Sequence, residues 1–159
     1  MESYYIKALH SAKALTVSSL NEGAAVRQHT VAGSTADSIA KLQLWRTVTF
    51  GNGVESYMLA KKIKASDGSL VYGCIQRPGI YSGQTLVIKR CDGGHFQQWL
   101  YQMVGPGVHY QIQGVASSFY WKIQNASLAD GANLTQSPTV GGWETRFRWV
   151  YSGSSCVFC

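Results

Sequence analysis

Apolar and polar residues alternate in short runs along the whole chain, and turn-forming clusters break the runs at spacings of roughly ten residues. In the first third, Tyr5 to Leu9 and Ala14 to Val17 alternate, Asn21-Glu22-Gly23 turns, and Ala24 to Thr30 alternates again. A polar loop from Ala32 to Ser38 then precedes Ala40 to Val48. Further strands are predicted near 57–63, 70–76, 84–90 and 97–103, and near 109–115, 119–124, 132–136 and 146–151. No apolar spacing of three to four residues is sustained past about ten positions, so helices are not expected. The chain reads as all-β with about twelve strands.

Two markers repeat in step. Gln43-Leu44-Trp45 and Gln97-Gln98-Trp99 recur, degraded, as Phe147-Arg148-Trp149, with Gly23, Gly83 and Gly131 upstream of each; the tryptophans lie 54 and 50 residues apart. Tyr4-Tyr5-Ile6, Tyr57-Met58-Leu59 and Tyr110-Gln111-Ile112 fall 53 residues apart both times. These markers imply three units in one domain spanning 1–159, at about 1–53, 54–106 and 107–159, with Gly51-Asn52-Gly53 and Gly105-Pro106-Gly107 at the joints. A unit this short cannot bury its apolar face alone. Three can close around a pseudo-threefold axis, each lending one hairpin to a barrel and one to a cap, which removes exposed edges. Trp45, Trp99 and Trp149 are expected in the core, with Gln43 and Gln97 bonded to turn backbone.

Composition narrows the function classes. The chain has 159 residues, a net charge of +6 and 45% hydrophobic residues, enough for a core. The basic residues are dispersed except for Lys61-Lys62-Lys64, and no array of aromatics and arginines suits stacked bases, so no nucleic acid partner is expected. No apolar run is long enough to span a bilayer, and no signal peptide precedes Tyr4. A cytoplasmic protein is expected, with export by a non-signal route left open. Two sequons, Asn125-Ala126-Ser127 and Asn133-Leu134-Thr135, would matter only on a secretory route. His10, His29, His95 and His109 lack metal-ligand spacing, and no nucleophile elbow or phosphate loop occurs, so no metal, cofactor or catalysis is expected. The terminal Cys156-Val157-Phe158-Cys159 lacks a second pair for zinc and matches a prenylation signal poorly. It reads as an incidental pair of thiols able to cross-link dimers.

The Gly-x-x-hydrophobic and Gln-x-Trp pattern resembles the ricin B chain-like β-trefoil lectins over essentially the whole chain. That resemblance implies a β-trefoil that binds glycans or glycoproteins, with a homodimer as one route to avidity. It implies a disulfide between Cys74 and Cys91. It also places a pocket in each unit, formed by a strand aspartate, an aromatic platform, an asparagine and the Gln-x-Trp glutamine, so that a carboxylate takes hydroxyl hydrogens while a ring stacks on the sugar. Here the aspartate positions hold Thr16, Gln76 and Gln124, the platform positions His29, Lys89 and Ser137, and the asparagine positions Leu42, Phe96 and Arg146. The carbohydrate-binding candidates are therefore Thr16, His29 and Gln43 in the first unit, and Gln76, Lys89 and Gln97 in the second. Gln124, Asn125 and Trp143 are the candidates in the third, Trp143 being carried on a glycine-rich loop. The resemblance further implies a role in defence. A protease inhibitor or protein-binding trefoil acting through a protruding loop, at 31–40 or 137–145, is the alternative from another class, and a targeting subunit of a toxin complex is a third.

Overall fold

The computed structural model describes residues 2–104 and 109–152, so the Gly105-Pro106-Gly107 joint and the thiols of Cys156 and Cys159 lie outside the described residues. In chain order the first unit supplies β1 (Tyr4–Ala8), β2 (Ala14–Val17), β3 (Val26–His29) and β4 (Trp45–Gly51). The second supplies β5 (Val54–Leu59), a two-residue pair β6 (Ile63–Lys64) and β7 (Leu70–Val71), then β8 (Gly73–Gln76), β9 (Val87–Arg90) and β10 (Trp99–Met103). The third supplies β11 (Tyr110–Gly114), β12 (Tyr120–Ile123), β13 (Leu134–Ser137) and β14 (Phe147–Tyr151). Among the described residues the only helical turns are four 3-10 turns, and no helix is long and apolar enough to cross a membrane.

The first and last strands of the units pair antiparallel in the ring β1-β4-β5-β10-β11-β14 and back to β1, which closes a six-stranded barrel. The middle hairpins β2–β3, β8–β9 and β12–β13 cap one end. Single bridges join the caps pairwise, Ala25 to Val87, Arg27 to Asn133 and Thr85 to Thr135. The architecture is a β-trefoil. Its joints explain the repeated glycine: Gly23, Gly83 and Gly131 adopt φ of +90°, +81° and +89°. From that left-handed turn, which L side chains resist, each N–H reaches a carbonyl of a neighbouring hairpin, Ile88, Gln136 and Gln28 respectively, at 2.7–2.9 Å.

Trp45, Trp99 and Phe147 open the last strands and are buried with Ile6, Tyr57, Ile112 and Trp121 where barrel meets cap. Trp121 meets Trp99 at 5.4 Å and Phe147 at 5.6 Å between ring centroids, both edge-on. The indoles of Trp45 and Trp99 donate to the Leu15 and Ile75 carbonyls at 3.0 and 3.1 Å.

Register corrects three readings of the sequence. Tyr4, Glu55 and Tyr110 are the equivalent first-strand positions, because they pair with Trp45, Trp99 and Phe147. Tyr57 is thus two residues out of step, and the third copy of the motif is Thr145-Arg146-Phe147; Trp149 is only half-buried, farther along β14. A slip of two residues keeps side chains on the same face of a strand, so the hydrophobic pattern does not reveal it. The strand expected over 70–76 is split at Tyr72, since Leu70–Val71 folds onto Ile63–Lys64 while Gly73–Gln76 joins the cap. Gly73 permits the change, for a Cβ there would lie 2.6 Å from Ile88 and 2.7 Å from Ile63.

Candidate functional site

Each candidate pocket lies beside a cap hairpin and the 3-10 turn that leads into the last strand of its unit. In the first two units the Gln-x-Trp glutamine stitches these parts together. Gln43 accepts from Ala32 N–H at 2.9 Å and donates to the Thr30 carbonyl at 2.9 Å and Thr16 Oγ1 at 3.1 Å. Gln97 accepts from Asp92 N–H at 2.9 Å and donates to the Arg90 carbonyl at 2.7 Å and Gln76 Oε1 at 2.9 Å. Both glutamines are fully buried. Their place among ligand contacts is therefore corrected: with no surface presented and both amide hydrogens engaged, they hold the pocket wall together.

The first unit offers little to a ligand. Thr16 is buried, donating to the Ala14 carbonyl and accepting from Gln43, so its hydroxyl is already in use. His29 lies 3.7 Å from the Asp130 carboxylate of the third unit, which also holds Lys13 at 2.9 Å and the Thr30 N–H at 2.8 Å. Lys13 first, then the Thr30 bonds, pull the Asp130 carboxyl down to about 2. This cluster ties two units together across the surface.

In the second unit Cys74 and Cys91 are joined in a disulfide that spans the β8–β9 hairpin. Gln76 is half-buried, accepts from Gln97, and makes no hydrogen bond through its own amide N–H groups within the described chain. Lys89 is half-buried on the neighbouring strand. Sequence reasoning passed over Phe96, which is 41% exposed with the Arg77 guanidinium 4.6 Å above its ring. A phenylalanine directly after Gly93-Gly94-His95 was the available signal, since an apolar ring in a glycine-rich turn has no core face to occupy.

The third unit presents the most open aromatic surface of the three pockets. Trp143 opens the 3-10 turn Trp143–Thr145, which packs on β12, and is 57% exposed. Arg146 lies 5.5 Å from its ring centre and His109 6.3 Å. Gln124 and Asn125 are exposed beyond the far end of β12, in a turn where Asn125 takes φ +56°. That turn adds two residues between β12 and Gly131. The residue equivalent to Thr16 and Gln76 is therefore Lys122, paired with Thr135 as Thr16 is paired with Arg27. By the same register Glu144, not Arg146, holds the position of Leu42 and Phe96. Ser137 is buried and bonded to Thr139.

No protein-family model matches the chain, and no curated protein does. Solved structures do. The designed threefold-symmetric protein ThreeFoil is 28% identical, with a TM-score of 0.75 over 93% of this chain and 97% of its own. The Macrolepiota procera ricin B-like lectin, solved in complex with lactose, is 14% identical, with a TM-score of 0.68 over 93% of this chain and 94% of its own. These likenesses agree with the β-trefoil seen in the strand pairing. A Clostridium thermocellum exo-beta-1,3-galactanase carries the same fold over 30% of its length, at 22% identity and a TM-score of 0.78. Among the described residues, no group of three His, Cys, Asp or Glu side chains is placed to hold a metal ion.

Proposed function

We propose that this single β-trefoil domain is a carbohydrate-binding protein whose principal pocket is in the third unit, with Trp143 as the stacking platform. The observation that carries the reading is the exposure of an indole at the pocket turn of a ricin B-like fold. A large ring left in water has no stabilising role in the core, and its flat face suits the C–H face of a pyranose. Arg146, His109 and Lys122 supply donors for sugar hydroxyls. Gln76 and Phe96 make the second unit a weaker pocket, with an amide in place of the family's carboxylate. Gln124 and Asn125 serve at most as outer contacts of an extended glycan. Glycoproteins are the natural ligands in this reading, a homodimer would multiply the sites, and the defence role implied by the family resemblance depends on it.

A glycan array with the full chain tests the proposal. Binding to a defined glycan set, competed by free sugar and lost in Trp143→Ala with an unchanged circular dichroism spectrum, is the expected result. A blank array, or undiminished binding by that variant, would refute it. The exposed pair Ile80 and Tyr81, 63% and 70% accessible, favours a protein-binding loop as the second reading. That reading requires a protein partner whose binding is lost in Tyr81→Ala and ignores sugars.

A further inference from the structure

The cap closes one end of the barrel, and the other end is lined by the next inward-facing residues of all six strands. Tyr4, Glu55 and Tyr110 come from the first strands at equivalent register. Thr47, Tyr101 and Trp149 come from the last strands, two residues beyond Trp45, Trp99 and Phe147. With Tyr151 they surround a depression of about 310 Å³, at the lower end of the ~300–1,000 Å³ common for small-molecule sites. The aromatic rings stand on edge to one another. Tyr110 meets Trp149 at 4.8 Å and 87°, Tyr101 meets Tyr110 at 5.6 Å and 76°, and Tyr4 meets Tyr151 at 6.1 Å and 84°. Rings so arranged make a box, which fits a globular group better than a flat sugar ring.

The polarity of the box is one-sided. Among the described residues Glu55 is its only charged lining residue, and no lysine, arginine or histidine lines it. Among the described residues Glu55 makes no ion pair. Burial pushes its carboxyl pKa up, against a hydrogen bond from Tyr57. The hydroxyl of Tyr4, which is 93% buried, meets Thr47 and the Trp149 indole N–H beside it, without full hydrogen-bond geometry. A half-buried carboxylate without a counter-charge among the described residues, bordered by aromatic rings, is complementary to a weakly hydrated cation.

We propose that this depression at the end of the barrel opposite the cap binds a methylated ammonium group, with the rings of Tyr4, Tyr101, Tyr110 and Trp149 against its methyls and Glu55 as its counter-ion. This site is independent of the sugar pockets on the flanks, so either can fail without the other. The probe is choline, and the control is its uncharged isostere 3,3-dimethylbutan-1-ol, each titrated into the full chain at constant ionic strength held with sodium chloride. Two readouts suffice: tryptophan fluorescence, and the proton shift of the ligand methyls, which ring currents move upfield inside the box. Choline is expected to saturate and to bind at least about tenfold more tightly than the isostere, the scale of a desolvated cation–π site. Glu55→Gln, which removes only the charge, is expected to weaken choline at least about fivefold and leave the isostere unchanged. Tyr101→Leu is expected to weaken choline and abolish its upfield shift, and carries the test should the Gln variant misfold. Equal binding of choline and isostere, no response beyond the sodium chloride control, or unweakened choline binding by Glu55→Gln would overturn the assignment.

Discussion

Gln97 and the Cys74–Cys91 disulfide hold the same two stretches of chain, which makes each a backup for the other. The glutamine binds Gln76, two residues after Cys74, and the backbone of Arg90 and Asp92 on either side of Cys91. Replacing Gln97 by Ala removes three hydrogen bonds, each contributing about 1 kcal/mol net. Local opening of the 90–92 segment then becomes easier by about 3 kcal/mol, or roughly 150-fold, provided nothing else restrains it. The Cys91 amide is a clean reporter, since it bonds to the Tyr72 carbonyl and not to Gln97. Hydrogen exchange at Cys91 in Gln97→Ala is expected to accelerate by about two orders of magnitude in reductant, and by less than about fivefold when oxidised, because the bridge keeps the segment seated. The first unit is the built-in control. There Gln43 binds Thr16, Thr30 and Ala32 in the same way, but Ala14 and Val31 occupy the positions of the cysteines. Gln43→Ala is therefore expected to release the 30–32 segment equally with and without reductant. If Gln97→Ala exchanges alike in both redox states, the two restraints are not redundant and the reasoning fails.

Reduction of the disulfide itself is expected to lower global stability by about 3 kcal/mol, read from urea unfolding with and without reductant. Asp130 gives a pH dependence: its folded carboxyl is depressed to about 2 from 3.8, so its contribution is full above about pH 4 and disappears as pH falls through 2. Asp130→Asn should flatten the acid limb of the stability curve in that window, read from urea unfolding across about pH 1.5–5. Gly73→Ala forces a methyl into Ile88 and Ile63 and is expected to destabilise by about 1–3 kcal/mol, measured by thermal melting. An unchanged midpoint would show that the β6–β7 ribbon gives way freely.

The barrel, the cap and the glycine joints were legible in the sequence because they rest on alternation and on left-handed turns, which only certain residues satisfy. The register within the repeat was not. Tyr57 imitates Tyr4 and Tyr110, and Trp149 imitates Trp45 and Trp99, because a strand shifted by two residues shows the same face. From that slip came the assignment of Arg146 to the position Glu144 holds, and the two-residue turn at Gln124 and Asn125 hid Lys122. Trp143 was legible for a different reason: a ring on a glycine-rich loop fits no core pattern, and the structure leaves it 57% exposed. The mouth of the barrel could not be read at all, since its lining comes from six separate strands and is assembled only by closure.

The three joints between units use main-chain atoms, a glycine N–H on one side and a carbonyl on the other. Two buried side chains reinforce them: Gln28 donates to the Ser127 and Ala129 carbonyls, and Gln136 to those of Gly79 and Tyr81. The flanks beyond these contacts differ from unit to unit: one is tied to the third unit by Asp130, one is braced by a disulfide and carries an amide, and one presents an exposed indole. Such a scaffold lends itself to division of labour among its three flanks, within the limit that shared contacts such as the Asp130 cluster make two of them change together.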